Sequence, residues 1–252
     1  MPGAWIGTSG WAYDEWGPAF YAHCPRARWL ERYAQAFDAV EVNGTFYHLL
    51  PHSTFVHWRE QTPANFRFAI KASRYLTHIL RIDFPLSALA RQRDAARGLG
   101  RKLAVVLWQL PANLKADGEL LERFLRRLAR WDGVRHAVEF RHPSWFDESL
   151  RLRLQRARVA VVQSDAADWP IWRAVAGDLV YVRLHGHRET YRSRYAAATL
   201  ARWALRCREW LAQGRQVHVY FDNTAGGHAL RDAARLRRRV AGNAPPTPGQ
   251  NL

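Results

Sequence analysis

Residues able to carry protons or hold anions recur at the ends of short apolar runs in this chain. Glu41 and Asn43 close AVEVN, Lys71 comes near the end of FRFAIKA, and Glu139 and Arg141 close HAVEFR. Asp165 closes RVAVVQSD, Arg183 and His185 fall in LVYVRLHG, and Asp222 and Asn223 close QVHVYFDN. Side chains two apart share one face of an extended chain. That groups Glu41 with Asn43, Glu139 with Arg141, Gln163 with Asp165, and Arg183 with His185. A charge turned toward apolar helices is costly, so these pairs are expected to face inward and meet one another. Glu139 then has Lys71 and the arginines as neighbours.

Such a set supports several chemistries. Glu41 and Glu139 are candidates for acid–base work or glycoside cleavage, their separation deciding between the two. Ion pairing with Lys71 or Arg141 is the structural alternative. Lys71 is a candidate Schiff-base former, provided no carboxylate lies close enough to keep it charged. Asp165 and His185 complete the candidate catalytic residues. Arg141 and Arg183 offer bidentate contacts to an anion. Gly226 and Gly227, in DNTAGGHA, either let backbone N–H groups approach that anion at a helix start or simply make a tight turn. Ser9, Asn43, His142, Asp222 and Asn223 are further candidate ligand contacts, with Trp11, Tyr13 and Tyr47 as stacking surfaces. Trp11 and Tyr47 are expected to be exposed and Trp108 to lie in the core. Glu41, Glu139, Asp165, His185 and Asp222 have metal-ligand chemistry, but Lys71, Arg141 and Arg183 in the same space would repel a cation. There is no HExxH motif, so neither a metal nor a cofactor is expected. GTSG is not the GxSxG nucleophile elbow, which argues against Ser9 as a nucleophile.

The elements that must position these residues follow from hydrophobic period. Eight β-rich runs alternate with amphipathic helical patterns: AWIGTS (4–9), AVEVN (39–43), FRFAIKA (66–72), KLAVVLWQL (102–110), HAVEFR (136–141), RVAVVQSD (158–165), LVYVRLHG (179–186) and QVHVYFDN (216–223). Among the helical stretches, STFVHWREQ begins on a serine able to cap, FDESLRLRLQRA opens on Asp147 as N-cap, and TLARWALRCREWLAQG ends on Gly214. Only the segment after the sixth run, AADWPIWRAVAG, is irregular, with one short helical turn expected. Strict alternation implies parallel strands, and eight units in roughly 250 residues is the size of a (β/α)8 TIM-type barrel. An open doubly wound sheet would carry a glycine-rich phosphate loop after its first strand. GTSGWAYDEW is not one. In a barrel, the strand ends named above gather at one mouth.

With 48% hydrophobic residues and 252 in all, the chain can bury a large core. Residues 1–240 are expected to form one barrel domain, and 241–252, AGNAPPTPGQNL, a flexible tail. No apolar run approaches a membrane span, the start lacks a signal-peptide pattern, and Cys24 and Cys207 are isolated. A cytoplasmic protein without membrane contact is expected. The net charge of +16 suits a polyanionic partner, or reflects an arginine-rich genome composition, since only Lys71, Lys102 and Lys115 are lysines.

Several blocks then carry a resemblance. IGTSGW (6–11), VEVNGTFY (40–47), FRFAIKASRYLTH (66–78), WQLP (108–111), EFRHPSWF (139–146), YVRLHG (181–186) and VYFDNTAGGHA (219–229) resemble the signature blocks of the YecE-like family, the domain of unknown function 72. The resemblance implies a TIM barrel akin to sugar isomerases and endonucleases, and a site at the barrel mouth, but no reaction. Gly44, Asp222 and Asp232 depart from the residues more usual in that family, where Ser or Asn, Asn, and Asn stand. The expected function is binding of a small anionic ligand, a phosphorylated sugar or nucleotide-like compound, with acid–base hydrolysis or isomerisation. A nucleic-acid-binding barrel, with or without nuclease activity, is the alternative, and a catalytically inactive binding scaffold a third. The sequence fixes no oligomeric state.

Overall fold

A computed structural model describes residues 3–242. The tail expected at 241–252 lies outside the described residues beyond Gly242. Eight strands, β1 (Ala4–Ser9), β2 (Ala39–Val42), β3 (Arg67–Lys71), β4 (Leu103–Gln109), β5 (Arg135–Glu139), β6 (Val159–Asp165), β7 (Leu179–Leu184) and β8 (Gln216–Phe221), pair in sequence order into a closed barrel. Every pairing is parallel, and β8 closes on β1 through Ala4↔Val217 to Thr8↔Phe221. The (β/α)8 expectation holds, and all eight runs become strands.

Parallel neighbours need crossovers, and helices supply most of them. They are α1 (Trp29–Ala36), α2 (His52–Glu60), α3 (Leu86–Ala96), α4 (Gly118–Leu128), α5 (Glu148–Arg156), α6 (Ala197–Ala212) and, after β8, α7 (His228–Val240). α4 illustrates why they form. Asp117 caps it by accepting from the N–H groups of Glu119 and Leu120, both at 2.9 Å. Leu120, Leu121, Phe124, Leu125 and Leu128 then make one buried stripe, each side chain contributing about 1.5–3 kcal/mol by leaving water. Asp147 caps α5 in the same way, as its sequence position predicts, and Gly214 follows α6 in the left-handed region at φ 76°. Two local expectations fail. Pro51, not Ser53, is the N-cap of α2, its fixed φ of −69° preceding the first turn. Between β6 and β7 no helix forms at all.

Strand parity divides the barrel wall into two sides. Outward-facing Val40, Ile70, Val106, Val138, Val161, Val182 and Val219 join the helices in one large core. Inward-facing Ala39, Ala69, Leu107, Ala137, Ala160, Tyr181 and Tyr220 make a second, smaller one. Small alanines on β2, β3, β5 and β6 leave room for the two tyrosines from β7 and β8. Below them Trp5 and His218 stack with centroids 4.9 Å apart. The barrel is therefore plugged beneath its mouth, and the mouth is a basin with a tyrosine floor.

Candidate functional site

The same parity decides which strand-end residues enter that basin. Ser9, Glu41, Asn43, Lys71, Glu139, Arg141, Arg183, His185 and Asp222 continue the inward rows of Ala39, Ala69, Ala137, Tyr181 and Tyr220. Three of the four pairs expected inward are inward. Gln163 and Asp165 are the exception, because Ala160 and Val162 are the inward residues of β6. An outward polar pair survives there since polar groups of α6 and the neighbouring loops meet it. Gln163 donates to Ala174 O at 3.2 Å and accepts from Arg206 of α6 at 2.9 Å. Asp165 accepts from Tyr195 Oη at 2.8 Å and contacts His187 Nδ1 at 3.3 Å. It braces the loop after β7 and does not reach the basin. Asn223 also faces outward, donating to Ser193 O and to Asp232 Oδ2, each at 3.0 Å. Asp232 takes the Tyr195 N–H as well, at 2.8 Å, so this departure from the family's usual residue ties the loops after β7 and β8 together.

Arg183 is the centre of the basin and is 1% exposed. Its Nε lies 3.0 and 3.1 Å from the two Glu41 oxygens, and Nη2 lies 2.8 Å from Glu41 Oε1. Nη2 also donates to Asp222 at 2.9 Å, and Nη1 to Glu139 at 2.9 Å. All three nitrogens are thus occupied by carboxylates, so Arg183 is not the free anion fork that its position suggested. Burial alone would loosen its proton, but Glu41, Glu139 and Asp222 hold it well above the ordinary arginine value. Glu41 receives two more bonds at 2.6 Å, from Ser9 Oγ and from Tyr181 Oη on the floor. Glu139 is taken by Arg141 Nε on its other oxygen. Burial pushes the Glu139 carboxyl up, and the Arg141 and Arg183 guanidiniums more than reverse it, leaving it well below the usual range. Of the two expected partners, Arg141 makes the ion pair and Lys71 makes none, the two arginines occupying both Glu139 oxygens.

Several polar atoms of the basin keep no protein partner. Lys71 places its ammonium 4.1 Å from the centroid of Phe46. Among the described residues it has neither a hydrogen-bond acceptor nor a carboxylate at ion-pair distance. Burial, with Arg183 beside it, pushes its pKa down to about 8. Arg141 lies with its guanidinium carbon 3.6 Å from the centroid of the Trp169 ring, and its terminal nitrogens donate to nothing among the described residues. Asn43 Oδ1 and His185 Nε2 are buried without a hydrogen-bond partner. His185 Nε2 is 3.4 Å from Asp222 Oδ2 but not aligned to bond it. Burial first, then Arg183, holds this imidazole neutral, well below its ordinary pKa. Burial pushes the Asp222 carboxyl up to about 7 against the pull of Arg183.

The rim is aromatic. Tyr47 is 69% exposed and Trp108 fully buried, as expected, whereas Trp11 is only half-exposed, its edge held by Trp58 at 5.2 Å. Tyr13 donates to Ser9 O at 2.5 Å, closing the loop after β1 over the basin. His142 turns away: its Nδ1 caps the turn at 143–145, 3.2 Å from Ser144 N. Gly226 and Gly227 adopt left-handed φ of 61° and 68°, but their N–H groups are not free. The first donates to Glu15 Oε2 at 3.1 Å and the second to Thr224 O at 3.2 Å. Sequence reasoning missed Ser164 and Tyr191. Ser164 Oγ accepts from Trp169 Nε1 at 3.0 Å and contacts His185 Nδ1 at 3.3 Å. The Tyr191 ring lies 5.7 Å from that of His185. Tyr181 was missed too, although its position two before Arg183 carried the signal. Among the described residues no three His, Cys, Asp or Glu side chains are grouped to hold a metal ion.

This arrangement can be set beside known proteins. YunF from Bacillus subtilis, a UPF0759 protein, is 27% identical over 258 residues, covering 89% of this chain and 90% of its own. YecE from Escherichia coli K12, another UPF0759 protein, is 30% identical over 148 residues, 56% of this chain and 50% of its own. A DUF72 family protein from Thermotoga maritima has a crystal structure that superposes with a TM-score of 0.80 at 25% identity, covering 94% of this chain and 99% of that one. A xylose isomerase-like TIM-barrel protein from Mycobacterium smegmatis, solved with magnesium, gives 0.55 at 12% identity over 86% of this chain and 87% of its own, a likeness of fold alone. The family model described as protein of unknown function DUF72 matches residues 5–251, and the chain belongs to that family.

Proposed function

We propose that the barrel mouth binds a small anionic ligand, a phosphorylated sugar or nucleotide-like compound, and moves protons on it in an isomerisation or hydrolysis. The observation that carries this reading is the set of basin groups without a protein partner: the Arg141 terminal nitrogens, the Lys71 ammonium, the Asn43 amide and His185 Nε2. Buried polar groups are normally satisfied, and Asn43 Oδ1 and His185 Nε2 are not, at the strand ends where such barrels hold ligands. The Lys71 ammonium and the two unoccupied terminal nitrogens of Arg141 favour an anion, which the latter can meet as a planar fork. Asp222 near 7 and Lys71 near 8 can each give and take a proton around neutral pH, which acid–base catalysis requires. The unpaired thiols Cys24 and Cys207 suit a reducing, cytoplasmic setting.

The test is thermal stability with inorganic phosphate, sugar phosphates and nucleotides, at low and high salt, beside Arg141→Gln. A salt-tolerant rise in Tm that the variant loses supports the reading. No rise with any of them sinks it.

A second reading has its own observation. A groove of about 880 Å³ outside the mouth is lined by His187, Arg188, Arg192, Arg194, Arg202 and His228. Of its arginines, Arg192 alone has a carboxylate at ion-pair distance among the described residues, Glu189 at 3.4 Å. Such a groove suits a nucleic-acid backbone. Binding there weakens steeply with salt, whereas a pocket for one phosphate does not.

A further inference from the structure

The chain has three lysines, and their surroundings differ sharply. Lys102 donates to Arg59 O at 2.5 Å, Thr62 O at 2.6 Å and Thr62 Oγ1 at 3.1 Å, which uses all three ammonium protons. Lys115 is exposed on the loop after β4. Lys71 has its ammonium on the face of Phe46, at the mouth end of β3, without an acceptor. The carboxylates that face it across the basin, Glu41, Glu139 and Asp222, are all drawn to Arg183, and Glu139 to Arg141 as well. Its other neighbours are cations or neutral: Arg183, Arg141, and His78, whose ring packs edge-on to Phe46 at 5.1 Å. Burial and Lys71 itself hold His78 neutral, at about 4. Only the Phe46 face, and the more distant field of those three carboxylates, favours the charge of Lys71, and burial with Arg183 outweighs both.

We propose that Lys71 is a nucleophile that forms a Schiff base with a carbonyl group of the ligand bound in the barrel mouth. The proposal rests on the anion-site reading only for the handle that brings the carbonyl in. The Nζ lone pair attacks the carbonyl carbon, a C–N bond forms, and the C–O π pair becomes a hydroxyl on taking a proton. The carbinolamine then loses that oxygen as water with a second proton, leaving a protonated imine. Amine and carbonyl give imine and water, with no oxidant or reductant. Asp222, facing the same basin from β8, is suited to lend a proton to the departing oxygen and to recover the one that Nζ sheds. Apolar burial beside a second cation is a known way to keep a lysine amine free for this step, and the pKa near 8 leaves part of Lys71 neutral at physiological pH.

The experiment uses pyridoxal phosphate, an anionic aldehyde, with uncharged pyridoxal and carbonyl-free pyridoxamine phosphate beside it. Borohydride reduces any imine, and peptide mapping assigns the adduct among the three lysines. The expected result is labelling of Lys71 at least ~10-fold above exposed Lys115, absent in a folded Lys71→Arg variant. Its rate should rise through pH 8, below the ordinary lysine range. If pyridoxamine phosphate protects Lys71, the anion site and the nucleophile stand together. If both aldehydes label Lys71 equally and it does not protect, the nucleophile stands and the anion site falls. If it stabilises the protein while the aldehydes label only Lys115, the anion site stands and the nucleophile is overturned. Labelling of Lys115 alone without stabilisation overturns both.

Discussion

Arg183 stands in the middle of Glu41, Glu139 and Asp222. Three carboxylates converging on one point is what a hard divalent cation asks for, and here the cation belongs to the chain. The consequence is that Glu41 and Glu139 are committed to holding the basin together, while Lys71, Arg141, Asn43, His185 and the proton on Asp222 remain available. A buried ion network of this kind adds little net stability, but removing one member leaves the others buried and unpaired. Arg183→Met should therefore cost about 3–5 kcal/mol. Urea unfolding at neutral pH measures this. A loss below about 1 kcal/mol, inside the range of a surface ion pair, would mean that the carboxylates find other partners and that Arg183 is no keystone.

Among the elements, the irregular crossover from β6 to β7 governs the site most directly. It carries Trp169, whose ring supports the Arg141 guanidinium at 3.6 Å and whose Nε1 donates to Ser164 at 3.0 Å. Trp169→Leu should weaken phosphate-ligand binding about 5–20-fold by removing a desolvated cation–π contact and freeing Arg141 to move. Titration calorimetry reads the affinity, and unchanged binding would remove Trp169 from the site. This segment is also where sequence reading failed. Period-2 alternation gave every strand, and it turned Glu41, Glu139, Arg183 and His185 inward because apolar helices cover the outer side of β2, β5 and β7. That reasoning misplaced Asp165, because the outer side of the β6 end meets polar partners: Arg206 of α6, Tyr195 and a loop carbonyl. Parity can be read from polar residues only where the covering layer is known to be apolar. Asp147 was legible as a cap because capping is local. The freedom of Lys71 was not, since it depends on which cation wins carboxylates contributed by three other strands.

For the molecule as a whole, buried histidines set the response to acid. His136 accepts from Trp108 Nε1 on Nδ1 at 3.1 Å and meets Trp131 O with Nε2, also at 3.1 Å. A second proton would set an N–H against the Trp108 N–H, and burial holds its pKa at about 4. His218, stacked between Trp5 and Tyr181, is held at about 3 by burial, and His185 is held down as well. The unfolded chain protonates these imidazoles near 6.5 and the folded chain does not, so their contribution is complete above 6.5 and is lost as pH falls toward 4. Asp222 acts in the opposite sense. Its carboxyl, near 7 when folded, holds a proton that the unfolded chain releases down to about 4. Three buried imidazoles, with the half-buried His78 adding in the same sense, against one carboxyl leave the unfolded chain the stronger proton binder across that window. Unfolding free energy should then fall by roughly 2–3 kcal/mol for each pH unit between about 6 and 4.5. Repulsion from the charge of +16 adds to the same trend at low ionic strength. Asp222→Asn removes the opposing proton and should steepen the slope, provided the variant folds. Urea unfolding at pH 7, 6 and 5 decides it in ~0.2 M salt, where the charge repulsion is screened. A flat profile in both proteins would mean that the imidazoles take up protons within the folded protein, and that their surroundings admit far more water than their burial implies.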